Sequence, residues 1–332
     1  MLPSLWQRNL IADAPHTPVL VREIVAWLDL EPGMTVVDGT FGAGGHASHL
    51  ASAMGGRGTY IAVDRDEAVV PYFGAFVGRH PALSARLIHA RYDDALAQLV
   101  RSGVQADAVL LDVGVSSMQL DQLERGFAYA IDAPLDMRMD ADDETTAADL
   151  INELSERELA GMFHRYGEER YSRPIARAIV RRRTERPFAR SGDLVEVIRR
   201  SIPTPALFGH GHPAKRVFQA LRIAVNDELG ALEHGVTAAL EVLRPGGRIA
   251  VISFHSLEDR IVKQQLRDRA RGCVCPPDLP MCACGHEPEV RVLTPRVLRP
   301  SAEEVADNPR AQSSRLRVAE RTTAPLSDRR PA

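Results

Sequence analysis

The sequence predicts a doubly wound, mostly parallel α/β sheet interrupted by an inserted all-helical domain, and three observations predict it. Short apolar runs alternate with helical stretches over the first third of the chain, the pattern of parallel strands joined by crossover helices. A glycine-rich turn, "DGTFGAGGHASHL" at 38–50, follows the first of those runs. The alternation then stops after residue 114 and resumes only after a long polar, helical stretch.

Four strands are expected in order: "TVVDG" at 35–39, "GTYIAVD" at 58–64, "RLIHA" at 86–90 and "ADAVLLDVG" at 106–114. Each ends near a glycine or an acid, at the carboxyl edge where such sheets bind ligands. From 121 to 213 the text is rich in Arg, Glu and Ala and reads as helices: "AADLINELSERELAGMF", "RPIARAIVRRR" with Pro174 near a helix start, and "SGDLVEVIRRSI". "FGHGHP" at 208–213 reads as the return linker. In "VFQALRIAVNDELGALEHGV", Phe218, Leu221, Val225, Leu229 and Leu232 fall at helical spacing and leave Lys215, Gln219, Arg222 and Asn226 on another face. "LRPGGRIAVISF" supplies a turn and a buried strand, followed by a helix for which Ser256 suits the N-cap and Asp259 the acid of the first turn. "SRLRVAER" alternates like an outer strand. The domains expected are therefore 1–120 and 214–321 for the two parts of the sheet domain, 121–213 for the helical insertion, and 322–332 for a disordered tail.

At 332 residues and 45% hydrophobic content the chain can bury a large core. No window approaches the ~18 consecutive apolar residues of a membrane span, and the N-terminus lacks a signal-peptide layout, so a cytoplasmic protein is expected. The net charge of −3 predicts no polyanion partner by itself, but charge is unevenly placed. Residues 132–160 hold ten acids against two arginines, and residues 165–200 hold eleven arginines against five acids. Arginine forks onto phosphates and stacks on bases; a solvated face paired to the neighbouring acids explains any single one of them better, whereas substrate recognition is expected of the helical insertion as a whole.

Gly42, Gly44 and Ala47 satisfy the G-x-G-x-x-G/A fingerprint, and Asp64 ends the next strand, where an acid can hold ribose hydroxyls. No Gly-Lys-Ser/Thr follows, which excludes a Walker loop. A nicotinamide or flavin enzyme stays admissible. Asp38, immediately before the turn, favours instead the cationic sulfonium and amino groups of S-adenosylmethionine over a pyrophosphate, unless it only caps the turn. Asp112, at the tip of the fourth strand, is a candidate acceptor for the N–H bonds of an exocyclic amine, with a purely cofactor-binding or turn-capping role as its alternative. The four cysteines, Cys273, Cys275, Cys282 and Cys284, cluster as C-x-C, six residues, C-x-C. Zinc or unligated thiols both suit that spacing, which is tighter than the usual C-x-x-C, and no metal ligand is assigned.

The motifs "HTPVL" (16–20), "DGTFGAGGH" (38–46), "LLDVGVSSMQLD" (110–121), "RGF" (125–127), "PLDMRMD" (134–140), "GEER" (167–170), "HPAKRVFQALRIAVNDEL" (212–229), "SFHSLEDRIVK" (253–263) and "NPRAQSSRLRVAER" (308–321) occur in one order. Together they resemble the ribosomal RNA small subunit methyltransferase H family, also called MraW, over residues 16–321. The resemblance implies a Rossmann-like, S-adenosylmethionine-dependent methyltransferase fold and methylation of N4 of a cytidine in the decoding region of 16S rRNA. It also implies that Gly44, Gly45, His46, Asp64, Tyr92, Asp112 and Gln119 contact the methyl donor. Alone, His46 reads as a helix-start histidine, Tyr92 as a core aromatic and Gln119 as a surface amide.

The reaction expected is direct displacement by the cytosine amine, with Asp112 the catalytic candidate. A carbon-5 methyltransferase would need a nucleophilic cysteine near the strand tips, and every cysteine lies at 273–284. The target base must be splayed out at about a few kcal/mol, so phosphate contacts are needed. The arginines at 173–190 and the face of Lys215, Gln219, Arg222 and Asn226 are candidates, against the reading that both are ordinary helix surfaces. His255 is a candidate base contact or a structural partner of a nearby carboxylate. The partner expected is 16S rRNA, within the small ribosomal subunit or an assembly intermediate, with a homodimer admissible. A non-enzymatic RNA-binding factor is the other alternative.

Overall fold

The computed structural model describes residues 17–116, 122–207, 212–273, 275, 281 and 284–326. The chain divides into two compact units, Met1–Gly114 with Leu229–Ala332, and Val115–Glu228. The first is built on a seven-stranded sheet of β1 (Thr35–Asp38), β2 (Gly58–Asp64), β3 (Leu83–His89), β4 (Ala106–Asp112), β5 (Leu243–Ser253), β6 (Val290–Val292) and β7 (Arg315–Arg321). Their order across the sheet is β3-β2-β1-β4-β5-β7-β6. Strands β1 to β5 run parallel, and β7 runs antiparallel between β5 and β6. "SRLRVAER" is therefore an interior strand, with Leu316, Val318 and Ala319 fully buried. The edge position goes to β6, whose three residues are too short to show a periodic pattern.

The strand order reverses between β1 and β4, so the chain leaves these neighbours in opposite directions and opens a crevice beyond their carboxyl ends. Helix α1 (Val21–Leu28) precedes β1, and α2 (Gly45–Ala53), α3 (Val70–Arg79) and α4 (Tyr92–Arg101) make the crossovers up to β4. The central parallel strands β2 and β4 bury both faces, which is why they read as continuous Val/Ile/Leu runs.

The inserted unit carries α5 (Ala147–Glu153), α6 (Glu156–Gly167), α7 (Ser172–Arg183), α8 (Ser191–Ser201), the single turn α9 (Thr204–Leu207) and α10 (Lys215–Asn226). Reciprocal capping boxes start α5 (Thr146 with Asp149) and α6 (Ser155 with Glu158), each satisfying two amides that a helix start leaves bare. Phe163, Ile175, Ile179, Leu194, Val217, Phe218 and Leu221 form its core. A methyl group on Gly167 would lie 2.4 Å from the carbonyl oxygen of Arg216, so only glycine lets α6 and α10 approach this closely.

Helix α10 thus belongs to the insertion, because its apolar stripe is buried there. The insertion runs over Val115–Glu228, whereas the linker signal at 208–213 placed its end at 213. The chain re-enters the first unit in α11 (Glu228–Val242), followed by β5 and α12 (Ser256–Arg269). Leu232, Val236, Leu240, Val262 and Leu266 then pack with Val37, Ile61, Val63, Val109, Leu111 and Val251 of the sheet. The tail does not loosen at 322: the Thr322 hydroxyl donates to the Pro288 carbonyl (2.6 Å), its amide donates to Glu289 (3.0 Å), and Ala324 is buried. Among the described residues no helix is long and apolar enough to cross a membrane.

Candidate active site

Strand β1 delivers Asp38 to the sheet edge, and the glycine turn folds back over it. Gly42 and Gly44 adopt φ of +54° and +75°, conformations that side chains disfavour. A Cβ on Gly39 would meet Leu111 Cδ2 at 2.5 Å and Tyr92 Cβ at 3.2 Å, so this glycine lets the turn lie against β4 and the start of α4. Gly44 caps α2 without any side-chain hydrogen bond. The first amides of α2, at Gly45 to Ala47, have no intrahelical acceptors and form a locally positive helix end.

Around this end stand three carboxyl groups. Asp38 is fully buried, with Oδ2 accepting the Tyr60 hydroxyl (2.8 Å) and Oδ1 the Thr40 amide (3.1 Å). Burial raises its pKa to about 6 despite those bonds. Asp38 is 0% exposed and so caps the turn from within the protein, whereas Asp64 is only partly buried. Asp64 receives the amides of Gly42 (2.8 Å) and Asp66 (3.0 Å), one on each oxygen, and burial raises its pKa. Each of its oxygens retains a lone pair for a further donor.

Asp112 differs. Its backbone amide donates to Thr40 Oγ1 (2.7 Å), which fixes the strand tip, but its Oδ1 is buried and has no hydrogen-bond partner among the described residues. Burial, then the nearby negative charge of Glu258, raises its pKa to about 7. Its Oδ2 lies 3.5 Å from His46 Nδ1. His46 is buried, its Nε2 is 2.8 Å from the Val19 carbonyl, and burial lowers its pKa. A carbonyl can only accept, so Nε2 carries the proton and Nδ1 presents a lone pair.

Glu258 is a member of this site that sequence reading missed. It is 1% exposed and its Oε2 accepts the amides of Phe254 (2.7 Å) and His255 (3.1 Å). The N-cap of α12 is therefore His255, not Ser256, and Glu258 completes the capping box. The signal was a glutamate three residues after the cap. Asp259 instead forks onto Arg317 (2.7 and 3.1 Å). His255 Nε2 is 3.0 Å from Glu258 Oε1, so its observed partner is a carboxylate. Tyr60 and Thr40 were also missed, since a strand tyrosine and a turn threonine carry no pattern that marks a site.

Of the residues singled out by sequence, Gly44, Gly45, His46, Asp64, Tyr92 and Asp112 all belong to the turn and the strand ends and helix starts around it. Tyr92, half-buried, begins α4, and its ring lies where a Cβ on Gly235 would be, 2.3 Å from Cε2. Gln119 lies outside the described residues. The arrangement offers a positive helix end beside carboxylates with unspent acceptors, which suits a zwitterion bearing ribose hydroxyls and a cationic centre better than a pyrophosphate.

In the inserted unit the expected polar face is largely engaged with neighbouring groups. Asn226 is 3% exposed, accepts the Met139 amide (2.8 Å) and donates to the Met137 carbonyl (2.8 Å). Arg222 forks onto Glu228 (2.7 and 2.9 Å) and Gln219 donates to the Tyr166 carbonyl (3.0 Å). These bonds commit Asn226, Arg222 and Gln219 to partners inside the unit, while Lys215 is exposed and Gln219 and Arg222 are partly exposed, so of the expected face only Asn226 is withdrawn from the surface. Among the arginines at 173–190, Arg183 donates to the Ile151 and Leu154 carbonyls (both 2.7 Å) and Arg190 pairs with Asp132 (2.6 Å). Arg173, Arg181 and Arg186 are exposed.

Residues 13–322 match the model of the MraW methylase family. The chain is 50% identical over 310 residues to a ribosomal RNA small subunit methyltransferase H of Heliobacterium modesticaldum, covering 92% of this chain and 98% of that one. It is 49% identical over 306 residues to the Symbiobacterium thermophilum protein of that name (91% and 95% covered). To that of Geobacter sulfurreducens it is 49% identical over 310 residues (92% and 98% covered).

Proposed function

The chain belongs to the MraW methylase family, and from that premise we propose that it transfers the methyl group of S-adenosylmethionine to the exocyclic N4 of a cytidine in the decoding region of 16S rRNA. The observation that carries this reading at the site is Asp112, whose buried Oδ1 has no hydrogen-bond partner among the described residues beside the glycine turn. A carboxylate left so in a low-dielectric setting is stable only when an N–H donor or cation meets it. Both the donor and the acceptor amine supply one.

When bound, the donor supplies an electrophilic methyl group on positively charged sulfur. The amides of Gly45 and His46 at the start of α2 would hold its carboxylate, with Gly44, whose own amide donates to the Phe41 carbonyl (2.9 Å), shaping the turn beside it. Asp64 takes the ribose hydroxyls on the lone pairs that Gly42 and Asp66 leave open. Tyr92 lies alongside, and Gln119, outside the described residues, completes the set by the family resemblance. Asp112 Oδ1 accepts an N–H, and with a pKa near 7 that carboxylate can also take up the proton the methylated amine loses. His46, kept neutral and oriented by Val19, fixes the other oxygen's surroundings. None of these roles needs a covalent enzyme intermediate.

The RNA partner follows from the same premise: the substrate is 16S rRNA, in the small subunit or in an assembly intermediate. Exposed Arg173, Arg181 and Arg186 of the inserted unit are suited to phosphates. The test is to incubate the protein with labelled S-adenosylmethionine and small subunits from a strain lacking this enzyme, then map the label. One N4-methylated cytidine in the decoding region is expected. Label on a ring carbon, on protein, or nowhere overturns the reading.

A further inference from the structure

Between α12 and β6 the chain makes an excursion that the methyl-transfer reading does not use. Its base is pinched: the Glu289 amide donates to the Arg269 carbonyl (2.8 Å), and Arg269 Nη1 pairs with Glu289 Oε2 (2.6 Å), both side chains buried. Beyond that pinch, none of the described residues between 271 and 288 is buried, and Met281 is 81% exposed. Apolar burial therefore does not hold this segment, and it has no helix or strand of its own among the described residues. Loops of this length without internal structure call for another restraint.

Three cysteines supply a candidate. The Sγ atoms of Cys273, Cys275 and Cys284 all lie within 4.8 Å of one another. Cys273 Sγ and Cys284 Sγ, eleven positions apart in the chain, are 3.9 Å apart. That is far beyond the ~2.05 Å of a disulfide. It matches the roughly 3.8 Å edge of a tetrahedron whose metal–sulfur bonds are ~2.3 Å. Thiols gathered at an exposed position gain little from packing, whereas thiolates around a divalent cation gain both charge neutralisation and loop closure.

We propose that Cys273, Cys275 and Cys284 ligate a structural zinc ion that staples the loop joining α12 to the edge strand β6. Each thiol gives up its proton on binding, and the three soft thiolates select a thiophilic metal over calcium or magnesium. Zinc, with no geometric preference of its own, accepts the unusual pairing of residues two apart. Cys282, the remaining thiol of the motif, lies outside the described residues. The ion is remote in role from the methyl transfer: it fixes a connection, not the donor.

The test uses the full-length protein grown with zinc and purified without chelator. Elemental analysis is expected to find about one zinc per chain, and X-ray absorption a shell of sulfur scatterers at ~2.3 Å. Cys273→Ser with Cys284→Ser is expected to lower zinc to below about a tenth of that, with far-UV circular dichroism verifying that the variant remains folded. Wild-type protein with under about a tenth of an equivalent of zinc overturns the proposal, as does iron or copper in its place. A sulfur-free zinc shell, or a folded double variant that retains its zinc, overturns it equally.

Discussion

His46 Nδ1 and Asp112 Oδ2 face each other across 3.5 Å with no proton assigned between them. The Val19 carbonyl claims the proton on His46 Nε2, and burial keeps the imidazole neutral. A neutral imidazole lone pair therefore confronts a carboxyl that burial has pushed up to about 7. The pair is comfortable when Asp112 is protonated, and it is equally relieved when a cation or N–H donor arrives at Asp112. Donor binding and Asp112 ionisation are thus coupled.

Asp112→Asn tests that coupling. The amide cannot neutralise a cation, so S-adenosylmethionine affinity measured by calorimetry is expected to fall at least about tenfold. The unliganded variant is expected to be more stable than wild type by on the order of 1–3 kcal/mol at pH 8 in thermal melts, because it no longer buries an ionised carboxylate. A variant that binds the donor normally removes Asp112 from the site.

The pH dependence has a definite sign. A carboxyl whose pKa is raised from 3.8 to about 7 on folding contributes stability that is full below pH 3.8 and is lost as pH rises through about 7. Donor affinity runs the opposite way, rising between pH 6 and 8 as the carboxylate forms. Isothermal titrations across that range that show no change, in buffers of matched ionic strength, contradict the assignment.

Tyr60→Phe removes the hydroxyl that Asp38 Oδ2 accepts at 2.8 Å in a fully buried setting. Destabilisation of about 1–3 kcal/mol is expected at pH 8, where Asp38 is ionised. The cost shrinks below pH 5, because a protonated Asp38 needs fewer donors and its pKa is already about 6. Denaturant titrations at the two pH values measure the difference.

Asn226→Ala deletes hydrogen bonds to the backbone of Met137 and Met139 inside the inserted unit. A loss of about 2–4 kcal/mol of stability is expected, since two buried backbone groups are left unsatisfied. If Asn226 were an RNA contact instead, the melting temperature would hold and only RNA affinity would drop.

The fold class was legible because parallel strands buried on both faces must be continuously apolar, as in "GTYIAVD" and "ADAVLLDV". The glycine turn was legible because Gly42 and Gly44 occupy positive φ, a backbone demand written directly into residue type. The end of the insertion was misplaced because the apolar stripe of α10 fits either unit equally well by periodicity. Only its packing against α6, in the core that includes Phe163, decides. The same ambiguity made Asn226 and Arg222 look like open surface, since the text does not say which groups a polar helix face will meet.

By itself the sequence determined the longer strands, the turn and the acids at the strand ends, because these depend on local propensity and on periodicity. Only the tertiary structure decided what each acid is for. Asp38 and Asp112 are the same residue type at the ends of adjacent strands, yet Tyr60 and Thr40 donate to both oxygens of the first while Oδ1 of the second meets no donor among the described residues. The availability of a carboxylate for chemistry is set by which donors the fold brings within hydrogen-bonding distance, and those donors come from elsewhere in the chain.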